Sequence, residues 1–384
     1  MDVKQVYDFV NAATTEVLGA SALVSEDLSN IVDVGTAIVN AHAMDNYVRA
    51  LVNHIGRVIC LARVYRGGAP SVLMDEWEFG SVLEKISAEL PAARENESWN
   101  LVDQASYPTD VFYKPSVTAK FFNSRVTFEV PLSFTEKQVR ESFSNAVQLG
   151  AFMSMLYTAV DKSMTIKLDA LIMRTINNMI GETIHDDYGA ATLSSKTGVK
   201  AINLLYLYNQ RYSANLAAAD AVTNPDFIRF AVYQIGLVMD RLPRVSTLYN
   251  VEGRDRFTPR DLMHIVMLAD FRSAADVYLQ STTYNERFTA LPAAEVVPYW
   301  QGSGTDYGFG STSKIDVKTS SGASVEASGI LCVIFDRDAL GVCNMDRRVT
   351  SRYVESAEFY TNWYKMDAGY FNDLAENFVV FFAA

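Results

Sequence analysis

Between Glu141 and Asp161 lie nineteen consecutive residues without a charged side chain, and Val139, Phe143 and Val147 recur at steps of four around its start. That interval marks one face of an α-helix. Beyond Asp161 and Lys162 the stripe resumes as Leu168, Ile172 and Ile176 and runs to Met179 and Ile180, with Gly181 placed as a C-terminal stop. Upstream, Ser133 with Glu136 three residues later forms a candidate capping box just after Pro131. Read as one element, residues 134–180 predict a helix of roughly 70 Å at about 1.5 Å per residue. Gly150 and the β-branched Thr165–Ile166 pair are the places for a kink or break.

Nineteen residues suffice to cross a bilayer, but the composition argues against it. Asn145, Gln148 and Gly150, with the hydroxyls of Ser142, Ser144, Ser154 and Thr158, make the stretch only moderately apolar, and its flanks show neither an aromatic belt nor a one-sided cluster of Lys and Arg. The pattern predicts a rod packed inside protein.

On either side the periodicity changes. Helical patterns over 2–18 and 36–54 flank a small-residue stretch and read as an arm, with Ile38, Met44, Tyr47, Val48, Leu51 and Ile55 as the second stripe. Residues 62–130 read as extended segments around the turn-rich, charged "ELPAARENESWN". Such a hairpin-like excursion cannot bury itself, so neighbouring subunits are expected to order it. After the rod come amphipathic helices over 197–222 and 224–242, the second capped by Asn224 with Pro225 at its first position. A strand over 244–251, a strand–turn–helix over 264–279 turning at Asp270, and a buried strand over 330–335 follow. Residues 300–329 are rich in Gly, Ser and Thr and read as loop, and 347–382 read as antiparallel strands.

Composition sharpens this picture. With 384 residues, 49% of them hydrophobic and 20% charged, the chain can bury a sizeable core, which excludes wholesale disorder. Its 20 Tyr and 21 Phe exceed what one small core absorbs, so some are expected to face partner chains. A net charge of −12 argues against a general nucleic-acid binder, though not against a protein that encloses nucleic acid without gripping it. Cys60, Cys332 and Cys343 are too few and too scattered for a disulfide framework or a metal motif, which fits a reducing compartment. The polar, acidic start lacks the regions of a signal peptide and points to intracellular synthesis.

Candidate chemistry is sparse. Asp336, Arg337 and Asp338 sit at the end of an expected strand, where α/β enzymes often keep carboxylates, but a helix start there would select Asp for structural reasons alone. His185, Asp186 and Asp187 are metal-ligand types, yet consecutive residues rarely share one ion, and a solvated helix exit is the plainer reading. The glycines of "GSGTDYGFGSTSK" match neither phosphate-binding motif. His42, His54, His185 and His264 are isolated. Arg254, Arg256 and Arg260, like Arg347, Arg348 and Arg352, form basic spots that suit inter-subunit ion pairs as well as anions. No nucleophile meets a base, so the sequence calls for no catalytic residue, no cofactor and no metal.

The order of parts resembles the major capsid proteins of tailed bacteriophages, closest to small short-tailed phages with protein-primed linear genomes. "VGTAIVNAHAMDNYVRALVNHIGRVICLARV" is similar to their arm helix, and "VPLSFTEKQVRESFSNAVQLGAFMSMLYTAVDKSMTIKLDALIMRTI" to their spine helix. "LMHIVMLADFRSAAD" and "ILCVIFDRDALGV" are similar to their axial strands. The resemblance implies an α+β fold with an N-terminal arm at 1–61, an extended loop at 62–131, a peripheral domain with the spine helix at 132–195 and 344–384, and an axial domain at 196–343. It implies a homo-oligomer of hexamers and pentamers, built with a scaffolding protein and a portal, enclosing double-stranded DNA in a virion. The further immunoglobulin-like domain of some relatives is not expected here. The alternatives are an encapsulin-like compartment shell and, from another class, an α/β enzyme using Asp336 and Asp338.

Overall fold

The structure, a computed structural model, describes residues 3–19, 23, 25, 30–40, 46–47, 50, 72–74, 83–88, 91, 96–107, 112, 114, 116–142, 146–280, 294–300 and 309–384. The arm contributes α1 (Val3–Leu18) and α2 (Ile31–Asn40). The second expected arm helix, 36–54, thus begins earlier, and most of its carboxyl half lies outside the described residues.

The rod is present. A short helix, α3 (Glu136–Ser142), precedes α4 (Ala146–Tyr188), whose 43 residues span roughly 65 Å at about 1.5 Å each. Of the uncharged stretch, 146–160 lie within α4, and 143–145 lie outside the described residues. Phe152, Leu156, Val160, Met164 and Leu168 form a single buried stripe at steps of four. From Leu171 to Tyr188 two residues per turn are buried, as befits a helix entering a thicker core. Buried Thr175 and Thr183 stay satisfied by donating back to Leu171 O and Met179 O. Neither Gly150 nor the Thr165–Ile166 pair breaks the helix.

Both expected ends of the rod need correction. Residues 125–135 continue as the strand β4 (Arg125–Thr135), so Ser133 caps nothing. The capping box lies two residues on: Gln138 N–H donates to Thr135 Oγ1 and Thr135 N–H to Gln138 Oε1, at 3.3 and 2.9 Å. Pro131 sits in that strand without harm because β4 is the edge of its sheet. Gly181 does not stop the helix either. A Cβ there would lie 2.3 Å from Val317 Cγ2, so the glycine lets a hairpin pack on the helix. The stop is Gly189, whose φ of 56° takes the left-handed conformation and whose N–H reaches His185 O at 2.8 Å.

Two sheets flank the rod. The first has the order β1 (Leu73–Met74), β11 (Leu340–Val354), β12 (Phe359–Asn372), β4; all its pairings are antiparallel except β1 with β11. Along β4, Val126, Phe128, Val130, Leu132 and Phe134 turn inward. Phe134 meets Phe152 of α4 edge-on at 5.5 Å. The second sheet has the order β5 (Ala201–Asn203), β13 (Phe378–Phe382), β10 (Ile330–Asp336), β6 (Met263–Leu268), β7 (Glu295–Val297). Every residue of β10 and β13 is buried, as expected for continuous apolar runs covered on both faces.

The helices α5 (Leu204–Tyr212) and α7 (Ala269–Gln280) lie beside this sheet, and α6 (Pro225–Arg241) packs on both of them. Asn224 caps α6 as the sequence predicts, accepting from Asp226 N–H and Phe227 N–H. Residues 197–222 are not one helix. They divide into β5, α5 capped by Asn203, and a 3-10 turn at Ala218–Thr223. The expected strand at 244–251 is a loop with one isolated bridge, Ser246 to Arg256. Conversely, 309–329 is more ordered than its composition suggests. It holds α8 (Phe309–Thr312) and the hairpin β8 (Ile315–Lys318) with β9 (Ser324–Ala327). Trp300 is buried, its indole N–H donating to Ile330 O at 3.0 Å.

Gly181→Val should therefore destabilise the unassembled subunit by about 1–3 kcal/mol through overpacking against Val317. Adding Val317→Ala should recover most of that loss. Thermal melting of the two variants checks it; no recovery in the double variant would remove the close-approach explanation.

Candidate functional site: a protruding hairpin on an ionic base

β2 (Leu83–Ala88) pairs antiparallel with β3 (Val117–Phe122), so these two segments of the excursion form a hairpin. Its polarity is inverted. Leu83, Lys85 and Ser87 of one strand, with Thr118, Lys120 and Phe122 of the other, form the more shielded face. Ile86, Val117 and Phe121 stand on the exposed face at 66%, 57% and 63% exposure. Trp99 (94% exposed), Leu101, Val102 and Phe112 of the same excursion are likewise uncovered. Covering such side chains is worth on the order of 1–2 kcal/mol each, so leaving them bare in the finished particle would forfeit a large contribution.

The base is ionic. Lys85 and Lys120 are directly opposite in register, a repulsive arrangement unless neutralised. Asp373 neutralises both: Lys85 Nζ lies 2.8 Å from its Oδ2 and Lys120 Nζ 2.7 Å from its Oδ1, and its side chain is 1% exposed. Lys85 also reaches Glu376 Oε1 at 2.8 Å, which takes Arg256 Nε at 3.1 Å, and Lys120 pairs with Glu252. Burial works to raise the Asp373 pKa, but the hydrogen bonds from Lys120 and Lys85 outweigh it and hold the carboxyl below its ordinary value. Burial works to lower the Lys85 pKa, and Asp373 and Glu376 outweigh it in turn. Stabilisation from Asp373 is thus present above the ordinary carboxylate value and lost as pH falls through the lowered one. That from Lys85 is present below the ordinary lysine value and lost as pH rises through the raised one. The base is intact across neutral pH.

The residues singled out in the sequence are scattered. Asp336 and Asp338 flank a turn between β10 and β11, not a helix start. Asp336 is buried and its Oδ1 accepts from Asp338 N–H at 3.0 Å, while Asp338 points to solvent. His185, Asp186 and Asp187 end α4, and Asp187 Oδ2 accepts from Lys200 N–H and Ala201 N–H at 2.7 and 2.8 Å. Lys200 Nζ pairs with both aspartates, so the cluster fastens β5 to the helix. Arg256, Arg260 and Arg348 pair within the chain, with Glu376, Asp240 and Asp367, which corrects the inter-subunit reading for those three. His264 stacks on Phe335 at 5.8 Å, and burial lowers its pKa. Cys332 and Cys343 are buried, while His42, His54, Cys60 and most of the glycine-rich segment lie outside the described residues. Among the described residues no group of three or more His, Cys, Asp or Glu is placed to hold a metal, and no helix is long and apolar enough to cross a membrane. Sequence reading missed Asp373, Glu376 and Glu252. They lie more than 130 positions from their lysines, so only the fold unites them.

The model of the Phi29-like phage major capsid protein family matches residues 10–382. The chain belongs to that family. Solved structures with a similar fold include the capsid of Staphylococcus phage Andhra, at 12% identity and a TM-score of 0.48 over 84% of this chain and 86% of that one. The capsid of cyanophage P-SCSP1u matches at 11% identity and a TM-score of 0.44, over 84% of this chain and 90% of that one. No curated protein sequence matches. The capsid protein is a subunit of a phage head shell built from many copies, with the mixed helix-and-sheet fold of that family. Neither the compartment-shell alternative nor the enzyme alternative finds support.

For Asp336, burial raises the pKa against the opposing hydrogen bonds of Asp338 N–H and the Thr258 hydroxyl. Its ionised form therefore subtracts stability at neutral pH, and the loss is relieved as pH falls through the raised value. Asp336→Asn keeps the acceptor and removes the charge. It should leave shells forming and make the subunit more stable at pH 7, an advantage that fades on acidification. Denaturant titration across pH checks this, and a large loss at pH 7 would refute it.

Proposed function

We propose that the capsid protein closes its shell by laying the 62–131 excursion across an adjacent copy, with the outer face of the β2–β3 hairpin as the covered surface. The observation that carries this is the inverted hairpin: lysines turn toward the subunit's own body and Ile86, Val117 and Phe121 turn away from it. Leu83 and Phe122 turn inward at the root of the hairpin, and beyond them the inward positions are polar while the outward ones are largely apolar. Two isolated strands are only marginally stable in water, so a partner surface supplies what the protomer lacks.

In this reading 1–61 is the arm, 132–195 with 344–384 the peripheral domain and 196–343 the axial domain. The carboxyl-terminal strand β13 crosses into the axial sheet beside β10. Axial domains meet in hexamers and pentamers, and the whole forms an icosahedral or prolate head around double-stranded DNA. The excess of acidic residues, −12 net, suits a wall along which packaged DNA slides rather than adheres. A scaffolding protein and a portal complete the assembly, the subunit is made in the bacterial cytoplasm, and its role is structural with no catalysis.

Phe121→Asp tests the proposal. The substitution is on an exposed face, so the free subunit should keep its melting temperature to within the equivalent of about 0.5 kcal/mol. Shell yield on a density gradient should fall at least tenfold. Normal shells from Phe121→Asp would contradict it.

A further inference from the structure

The shape of a shell depends on the angle at which each subunit's excursion leaves its body, and the structure assigns control of that angle to one residue. We propose that Asp373 is the positioning residue for assembly: it holds the two strands of the hairpin by a lysine each and so fixes the hairpin's posture toward the next copy. This rests on the reading that the hairpin covers a neighbour.

The body side of the contact is set before the hairpin arrives. Asp373 N–H donates to Ala339 O at 2.7 Å, and its Oδ1 accepts from Ala375 N–H at 3.1 Å. Its side chain is almost wholly buried, and Val251 N–H and Glu252 N–H both donate to Leu374 O, tying the 251–252 loop to the same turn. The hairpin side is the adjustable one, two long lysine side chains at 22% and 28% exposure. Two residues from Lys120 on the same face, the Phe122 ring lies 5.1 Å from Phe371. Phe122 thus acts as a fulcrum and the lysines as a latch farther out. Among the described residues no helix or strand of the body packs extensively on β2 or β3. Glu376 and Glu252 each add a contact to one lysine, but of the described residues only Asp373 holds both strands.

Steric packing would give one rigid angle. An ionic latch with flexible arms gives a preferred angle that can be reset, because lysine ammonium groups keep their partners over a range of stem conformations. A shell protein repeated in unequal positions needs that property. The apolar face is presented to a neighbour as long as the latch is closed.

The test uses the full-length chain. In Lys85→Gln/Lys120→Gln the turn around Asp373 keeps its backbone bonds but loses both counterions, so a merely structural role for Asp373 predicts loosening of its own turn, not of the hairpin alone. The proposal predicts at least a tenfold loss of hydrogen-exchange protection at 83–88 and 117–122 in the unassembled subunit, with 330–336 unchanged, and assembled particles of mixed diameter. Asp373→Glu should restore uniform particles better than Asp373→Asn. Unchanged protection in the hairpin, or particles of wild-type diameter from chains whose hairpin is loosened, would overturn it. If 330–336 also lose protection, Lys85→Gln alone, which leaves Lys120 on Asp373, is read by the same two outcomes. Normal shells from the lysine variant alongside failed assembly of Phe121→Asp would sink the latch while sparing the covering role. Normal shells from Phe121→Asp would sink the covering role itself.

Discussion

The long helix α4 packs against strands of both sheets, and the subunit's shape follows from that contact. A helix of 43 residues is stable in water only through its buried face. In its first half Phe152 meets Phe134 of β4, and in its second half Thr175, Gly181 and Tyr188 meet Asn372 of β12, Val317 of β8 and Phe382 of β13. One beam therefore holds two sheets in fixed relation and leaves the rest of the chain free to spread. The Gly181 contact, where the β8–β9 hairpin sits directly on the helix, shows how closely the beam is gripped at its carboxyl end.

A molecule spread along a beam covers less of its own apolar surface than a compact one. The excursion is where the deficit collects. Its lysines meet Asp373, Glu376 and Glu252, and Ile86, Val117 and Phe121 face out. In a monomeric enzyme this would be an aggregation liability. In the proposed reading the same exposed face is the means of association, with many weak contacts repeated around a closed shell supplying stability.

Much of this was legible in the sequence, and the failures have physical causes. The rod, the Asn224 cap and the strand–helix unit at 263–280 follow from local periodicity and capping, which need no tertiary information. Gly181 was misread because a glycine required for close packing and one required for a left-handed turn look alike in one dimension. Ser133 was misread because Pro131 suggests an end to a strand, whereas an edge strand tolerates it. The hairpin at 315–327 was hidden by Ser, Thr and Gly, which favour loops until a helix surface is present to pack on. The arginine spots suggested partners outside the chain because Glu376, Asp240 and Asp367 are distant in sequence or on another strand. The family resemblance rests on the order of elements along the chain, and the family model matches over residues 10–382.

The central claim is that the outer hairpin face is bare in the free subunit and covered in the shell. Hydroxyl-radical footprinting of the same preparation before and after assembly measures this directly. Strong labelling of Phe121 and Ile86 in the free subunit that falls several-fold in purified shells is the predicted result. Equal labelling in both states would contradict the account.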